Sequence, residues 1–162
     1  MAGLSLSRHR WAARIAAPFG VIGVATDGEY LTRVHYLLPG TRLLAPDVAL
    51  AREACSQIEA YLRDPRFRFS LPLRAPGTDH QRKAWRAMAA IPAGRTLSYG
   101  ELAAAIGSSA RAVGQACGAN PLPLVIPCHR VVARDGNLGG FMGRCGGFAL
   151  TVKRWLLEHE RG

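Results

Sequence analysis

Residues 74–78, with the sequence Arg-Ala-Pro-Gly-Thr, constrain the fold most, because they separate a β-rich first part of the chain from a helical second part. Proline and glycine interrupt helices and strands alike, and Thr78 or Asp79 can cap a helix that follows. A chain of 162 residues is long enough for one ordinary domain or two small ones. The sequence therefore predicts a boundary here, with an N-terminal domain at residues 1–75 and a C-terminal domain at residues 76–162.

The first domain combines predicted strands with one predicted helix. Apolar segments at residues 20–24 and 30–34 flank the turn sequence TDGE, which predicts a β-hairpin. Apolar residues recur at helical spacing over residues 46–63 and predict a helix there. Residues 67–73 alternate between apolar and polar side chains, so we expect one more strand.

The second domain is predicted to be mostly helical. One helix covers residues 79–90, and Ser98 with Glu101 has the spacing of a capping box at the start of the next. Gly107 ends that second helix. Apolar spacing predicts a final amphipathic helix over residues 149–160.

A third helix, from residue 110 to about 118, follows the second so closely that the two must lie at an angle, as in a helix-turn-helix. Small side chains predict that it approaches a nucleic-acid backbone rather than reading base edges, although helix packing explains them equally well. They are Ala110, Ala112, Gly114, Ala116 and Gly118. Arg111 and Gln115 are the long side chains that can reach outward.

The formal net charge of +10 comes almost entirely from arginine, whose planar guanidinium suits phosphate recognition. Both predicted domains are basic. The charge favours a polyanionic partner such as nucleic acid, and a basic protein without an acidic partner remains the alternative.

The cysteines show neither paired C-x-x-C spacing nor a regular framework, which predicts reduced thiols in a reducing compartment. They are Cys55, Cys117, Cys128 and Cys145. Pro18, Gly20 and Gly23 interrupt the N-terminal apolar run, so it has the pattern of neither a signal peptide nor a membrane span. We therefore expect a cytoplasmic protein without a membrane segment.

Cys128 and His129 stand side by side after a proline. A free cysteine is often buried as a small apolar residue, and that interpretation applies to Cys128 taken alone. The polar residues His129 and Arg130 directly after it favour a nucleophile instead, because thiolate formation at neutral pH needs a nearby base or positive charge.

Several motifs, in this order and at this spacing, resemble the O6-alkylguanine-DNA alkyltransferases, also called methylated-DNA-protein-cysteine methyltransferases. The motifs are TLSYGELA at residues 96–103, RAVG at 111–114, ANPLP at 119–123, IPCHRVV at 126–132 and KRWLLEHE at 153–160. A weaker pattern, IAAPFG at 15–20, is similar to the start of the family's N-terminal domain. The resemblance implies an α+β fold of two small domains: a ribonuclease H-like N-terminal domain of β-sheet and helix, and a C-terminal helical, winged-helix-like domain that carries the helix-turn-helix.

The resemblance also implies DNA repair by direct reversal of damage. Cys128 would displace the alkyl group from O6 of alkylguanine and keep it as a thioether, so each molecule acts once. His129 is implied as the base, through a bound water, and Glu160 as the residue that orients its imidazole. Asn120 is implied as a brace between the third helix and the active-site loop.

Other residues are implied to extrude and hold the damaged nucleotide. Tyr99 would crowd the target phosphate and donate a hydrogen bond to the leaving purine, while Arg111 would fill the vacated base stack. Ala110, Ala112 and Gln115 complete the implied DNA-binding set. The implied pocket residues are Val131, Phe141, which would stack on the extruded base, and Met142, whose backbone amide would meet O6.

The implied partner is double-stranded DNA that contains alkylated bases, and we expect a monomer without a cofactor. Some family members carry structural zinc in the N-terminal domain. Here His35, Cys55 and His80 are scattered, so we predict no metal. The segment at residues 140–148 is longer than the family pattern, which leaves the choice between O6-alkylguanine and O4-alkylthymine, and among alkyl groups, open.

Three other functions compete with alkyl transfer. The alkyltransferase-like proteins recognise damaged bases with a similar domain but lack the cysteine, whereas this chain has Cys128. A transcription factor would need long polar side chains on the third helix. A thiol hydrolase would need a histidine distant in sequence and an oxyanion site.

Overall fold

The computed structural model describes residues 10–134, 137–140 and 147–162. The chain divides after Arg74 into two compact units. Among the described residues, the first unit contains a small antiparallel sheet and one α-helix, and the second contains four α-helices and a two-stranded parallel pairing, so the predicted α+β fold is confirmed.

The sheet of the first unit has the order β1-β2-β3, with β1 at Ala13–Ala17, β2 at Gly20–Thr26 and β3 at Leu31–Leu37. Neighbouring strands are antiparallel, which confirms the predicted hairpin between β2 and β3. The carboxylate of Asp27 closes the turn by accepting hydrogen bonds from the backbone N–H groups of Glu29 (3.0 Å) and Tyr30 (2.8 Å).

One helix, α1 at Ala49–Arg63, contacts all three strands. Its buried face includes Ala54 and Ile58, while β2 contributes Ile22 and Val24, and all four are fully buried. The apolar stripe that predicted the helix is therefore the face that covers the sheet.

The strand predicted at residues 67–73 is wrong. Only Leu73 bridges Leu31, whose N–H donates to the carbonyl of Pro72 (2.8 Å). Because Pro72 has no backbone N–H to donate, the segment cannot form a continuous series of backbone hydrogen bonds with β3. The alternation reflects packing of aromatic side chains instead: the rings of Phe69 and Tyr61 of α1 lie 5.7 Å apart.

The second unit begins with α2 at Asp79–Ala89. The remaining elements are β4 at Leu97–Ser98, α3 at Tyr99–Ile106, α4 at Ala110–Gly118, a 3-10 turn at Cys128–Arg130, β5 at Val131–Val132 and α5 at Phe148–Arg161. Helices α2, α3 and α4 pack against one another, and α3 and α4 form the predicted helix-turn-helix pair. None of the helices among the described residues is both long and apolar enough to cross a membrane.

The predicted helix boundaries in this unit are confirmed. The hydroxyl of Thr78 accepts from the backbone N–H of Gln81, and that of Ser98 accepts from the N–H of Glu101, each in a reciprocal capping box. Gly107 ends α3 in the left-handed conformation, with φ of 68°.

Candidate active site

The pairing between β4 and β5 positions the two segments that carry Tyr99 and Cys128. Leu97 lies opposite Val131 in a parallel arrangement. Because Tyr99 directly follows β4 and the 3-10 turn that begins with Cys128 directly precedes β5, the pairing brings these two segments together. Cys128 is buried, and its backbone N–H donates to the carbonyl of Ile126 (2.8 Å).

Asn120 fixes the loop that leads from α4 to the thiol. Its side-chain Nδ2 donates to the carbonyl of Ile126 (2.9 Å), and its Oδ1 accepts from the backbone N–H of Leu122 (2.9 Å). Burial raises the pKa of the Cys128 thiol, and Asn120 opposes that effect. Leu124 in the same loop has φ of 77°, a conformation that bulky residues rarely adopt.

His129, the residue after Cys128 in the sequence, forms a buried pair with Glu160. His129 Nε2 lies 2.9 Å from Oε2 of Glu160 at the end of α5. Arg130 donates from Nε (2.9 Å) and Nη2 (2.8 Å) to the two oxygens of the same carboxylate, and from Nη1 to the carbonyl of Ile91 (2.6 Å). His129 Nδ1 is buried and has no hydrogen-bond partner among the described residues.

Burial determines the protonation states of Cys128 and His129. Burial raises the pKa of the Cys128 thiol to about 11, although Asn120 and Lys153 oppose the increase. Burial also lowers the pKa of His129 below its usual range, against the opposing effect of Glu160. At neutral pH the Cys128 thiol is therefore protonated, and the imidazole of His129, the next residue in the sequence, is neutral and can accept a proton.

Lys153 of α5 is a site residue that the sequence analysis missed. Its buried ammonium donates to the backbone carbonyls of Val131 (2.8 Å), Leu138 (2.5 Å) and Gly140 (2.9 Å). The helical spacing could have indicated it, because Lys153 shares the buried stripe of α5 with Leu156 and Glu160.

Tyr99 contacts residues 139–140, part of the segment whose carbonyls accept hydrogen bonds from Lys153. Its hydroxyl donates to the carbonyl of Gly140 (3.1 Å), and Lys153 Nζ lies 5.8 Å from the centre of its ring. Gly139 packs so closely that an added Cβ would lie 3.0 Å from Cε2 of Tyr99. The backbone at residues 139–140 thus sets the position of the tyrosine ring.

Comparison with known proteins matches the chain to a known family. A family model described as "6-O-methylguanine DNA methyltransferase, DNA binding domain" matches residues 79–162. The chain belongs to the O6-methylguanine DNA methyltransferase family. The resemblance that the sequence motifs predicted is confirmed.

Relatives from bacteria extend the match beyond that domain. A methylated-DNA–protein-cysteine methyltransferase of Mycobacterium tuberculosis is 38% identical over 153 residues, which are 91% of this chain and 90% of that protein. The regulatory protein ada of Salmonella typhimurium is 46% identical over 137 residues, or 83% of this chain, and the match spans 37% of ada. The crystal structure of Mycobacterium tuberculosis OGT in complex with DNA has a TM-score of 0.78 at 38% identity and covers 91% of each chain.

Of the predicted catalytic residues, the structure joins His129 directly to Glu160 and uses Asn120 to hold the loop that leads to Cys128. Tyr99 donates to the carbonyl of Gly140, which also accepts from Lys153. Among the described residues, no group of three or more histidine, cysteine, aspartate or glutamate side chains could hold a metal ion.

Four of the five predicted DNA-binding residues lie on α4, and the fifth, Tyr99, is the first residue of α3. Ala110, Arg111 and Gln115 are exposed, whereas Ala112 is half-buried. Val131, a predicted pocket residue, is fully buried within β5. The other two predicted pocket residues, Phe141 and Met142, lie outside the described residues.

Proposed function

We propose that this protein repairs double-stranded DNA by transferring the alkyl group of O6-alkylguanine to Cys128. One observation supports this most strongly: His129 is bonded through Nε2 to Glu160, and its other ring nitrogen is buried and unpartnered among the described residues, next in sequence to a buried thiol. A buried, oriented imidazole beside a cysteine is the arrangement that activates a sulfur nucleophile.

The transfer is a direct displacement. The thiol proton of Cys128 passes through a water to Nδ1 of His129, and the sulfur then forms a bond to the alkyl carbon while the bond from that carbon to O6 breaks. Guanine leaves with the electron pair of that bond, and a hydrogen bond from the Tyr99 hydroxyl helps to neutralise it. The product is a thioether, so the protein is consumed stoichiometrically.

DNA contact through the helix-turn-helix precedes the chemistry. The small residues of α4 let it approach the DNA backbone closely, and Arg111 at the start of this helix takes the place of the extruded nucleotide. Extrusion costs a few kcal/mol and is easiest for a poorly paired, damaged base, which contributes to selectivity. We further propose that the protein acts as a monomer in the cytoplasm, with O4-alkylthymine as a second substrate class.

The test incubates the protein with duplex DNA that contains one O6-methylguanine and measures the mass of its peptides. We expect one extra methylene on the Cys128 peptide and none on the peptide of Cys55. Cys55 is the matched control, because burial raises its pKa to about 11 as well. An unmodified Cys128 peptide after full incubation would refute the proposal.

Two variants separate transfer from binding. Cys128→Ala should abolish transfer while it still binds the duplex, whereas Cys55→Ala should transfer at the rate of the unmodified protein. A Cys128→Ala variant that still transfers would show that another residue is the nucleophile. Lesion binding without transfer by the unmodified protein would instead indicate the function of the alkyltransferase-like proteins.

A further inference from the structure

Two side chains of α2 make hydrogen bonds next to the two ends of α4. The first belongs to His80, whose Nε2 lies 2.6 Å from the hydroxyl of Ser108. Ser108 stands in the turn between α3 and α4, directly before Ser109, whose side chain caps α4. Arg111 is the second residue of that helix. The contact between His80 and Ser108 therefore holds the end of α4 that carries Arg111.

Trp85 of the same helix holds the other end of α4. Its buried indole Nε1 donates to the carbonyl of Ala116 (2.9 Å). The last carbonyls of a helix lack a partner within it, and here the N–H of Asn120 donates to Cys117 (3.3 Å) rather than to Ala116. The indole thus stabilises the point at which α4 ends. Asn120, just beyond that point, holds the loop that leads to Cys128.

These two hydrogen bonds restrict α4 in a way that apolar packing does not. The hydrophobic effect is non-directional, so apolar contacts between α2 and α4 tolerate small shifts of one helix along the other. A hydrogen bond weakens steeply outside a narrow range of distance and angle. Two such bonds at separate points fix both the position of α4 and its rotation about its own axis.

We propose that His80 and Trp85 are positioning residues for alkyl transfer. His80 places the start of α4 so that Arg111 can enter the duplex. Trp85 places the end of α4 so that Asn120 keeps the loop before the thiol in order. This inference deepens the proposed function and rests on it. Both residues act through others, so the expected losses are those of a misplaced helix rather than of a missing reacting group.

Two substrates and two readouts distinguish these roles from a merely structural one. Duplex DNA with one O6-methylguanine requires DNA contact and the thiol, whereas the free base O6-methylguanine requires only the pocket and the thiol. A residue that only stabilises the fold changes the amount of active protein, and hence the amplitude of a single-turnover reaction. It leaves the rate constant of the folded molecules unchanged, whereas a positioning residue changes that rate constant.

For His80 the experiment is a double-mutant cycle with Ser108. His80→Phe and Ser108→Ala should each lower the rate constant on duplex by about fivefold, the size expected for one hydrogen bond, and leave that on the free base unchanged. The double variant should lose no more than either single variant, because the same bond is removed. His80→Gln, whose amide nitrogen can lie near the position of Nε2, should recover most of the duplex rate. Ser56→Ala, at an exposed position of α1, is the control.

For Trp85 the experiment is Trp85→Phe, which keeps an aromatic ring but removes the donor to Ala116. We expect the maximal rate constant to fall by about fivefold on both substrates, while the duplex concentration at half-maximal rate stays the same, because only the end of α4 is displaced. If Trp85→Phe does not fold, benzothienylalanine at position 85 decides, since its ring keeps the indole shape with sulfur in place of the N–H. Trp11→Phe in the first unit is the control.

An unchanged duplex rate constant in His80→Phe, an equal loss on the free base, or multiplied losses in the double variant would overturn the role of His80. An unchanged rate constant after loss of the indole N–H, or a loss on duplex alone, would overturn the role of Trp85. The unmodified protein is assayed first. Absence of transfer to Cys128 contradicts the proposed function, whereas normal transfer with unaffected variants contradicts only the two positioning roles.

Discussion

His129 Nε2 lies 2.9 Å from Oε2 of Glu160, and this contact determines which ring nitrogen is available for chemistry. A carboxylate accepts hydrogen bonds, so Nε2 carries the proton and Nδ1 keeps a lone pair. Arg130 holds the same carboxylate through two hydrogen bonds, which fixes its orientation. The imidazole next in sequence to Cys128 is thus in the tautomer that can act as a base, with Nδ1 as the acceptor.

Glu160→Gln should slow transfer by roughly a hundredfold or more, because an amide can donate to Nε2 and stabilise the wrong tautomer of His129. Single-turnover rates on duplex DNA with O6-methylguanine measure this effect. Glu158→Gln is the matched control, since Glu158 is exposed on the same helix. Equal rates for the two variants would contradict the assigned role of Glu160.

The buried, neutral state of His129 predicts that stability falls in mild acid. Its pKa in the folded protein is lowered by burial, while the unfolded chain has the ordinary value of 6.5. As the pH falls below that value, the unfolded state gains a proton that the folded state does not, so stability decreases by up to about 1.4 kcal/mol per pH unit until the folded pKa is reached. Urea unfolding at pH 7.5 and 5.5 should show a smaller loss for His129→Asn than for the unmodified protein. Parallel losses would refute this prediction.

Sequence signals predicted the helix-turn-helix well because its boundaries are set locally. Ser98 with Glu101 and Gly107 each satisfy backbone groups within a few residues of their own position. The adjacent pair of Cys128 and His129 was also visible, since neighbours in sequence are neighbours in space.

Features that depend on distant parts of the chain could not be predicted in this way. The alternating pattern at residues 67–73 is the same for a strand and for a loop that packs on a helix. Which of the two forms depends on the element that the segment packs against in the fold. The hydrogen bonds of Lys153 and the bidentate contact of Arg130 with Glu160 join segments that are 13 to 30 residues apart. No local spacing encodes those contacts.

Gly139→Ala should slow transfer by displacing Tyr99. Gly139 has φ of 66°, and an added Cβ would lie 3.0 Å from Cε2 and 3.3 Å from the hydroxyl of Tyr99. Gly28→Ala is the control, because Gly28 also has a positive φ but nothing within 4 Å of an added Cβ. Both variants should lose about 1 kcal/mol of stability from backbone strain, and only Gly139→Ala should lose transfer activity. Equal transfer rates would show that the tyrosine ring position is unimportant.

Asn120→Ala should lower both the free energy of unfolding and the reactivity of the Cys128 thiol. It leaves the carbonyl of Ile126 and the N–H of Leu122 without their side-chain partner, at a cost of about 2 kcal/mol in the free energy of unfolding. Burial raises the pKa of Cys128 and Asn120 opposes that effect, so its removal should raise the pKa further and slow labelling of the thiol by iodoacetamide at pH 8. Unfolding by urea and peptide mass spectrometry measure the two effects. A variant as stable and as readily labelled as the unmodified protein would contradict the role of Asn120 as a brace.

Arg111→Ala should slow transfer from duplex DNA much more than transfer from the free base O6-methylguanine. Arg111 is exposed in the first turn of α4, and its proposed role, to fill the stack after extrusion, exists only in a duplex. We expect a loss of roughly tenfold or more on duplex and little change on the free base. Arg66→Ala, which removes an exposed arginine from the first unit, controls for the general loss of positive charge, and rates at several salt concentrations correct for phosphate contacts. A similar loss on both substrates would place Arg111 in the chemical step rather than in nucleotide extrusion.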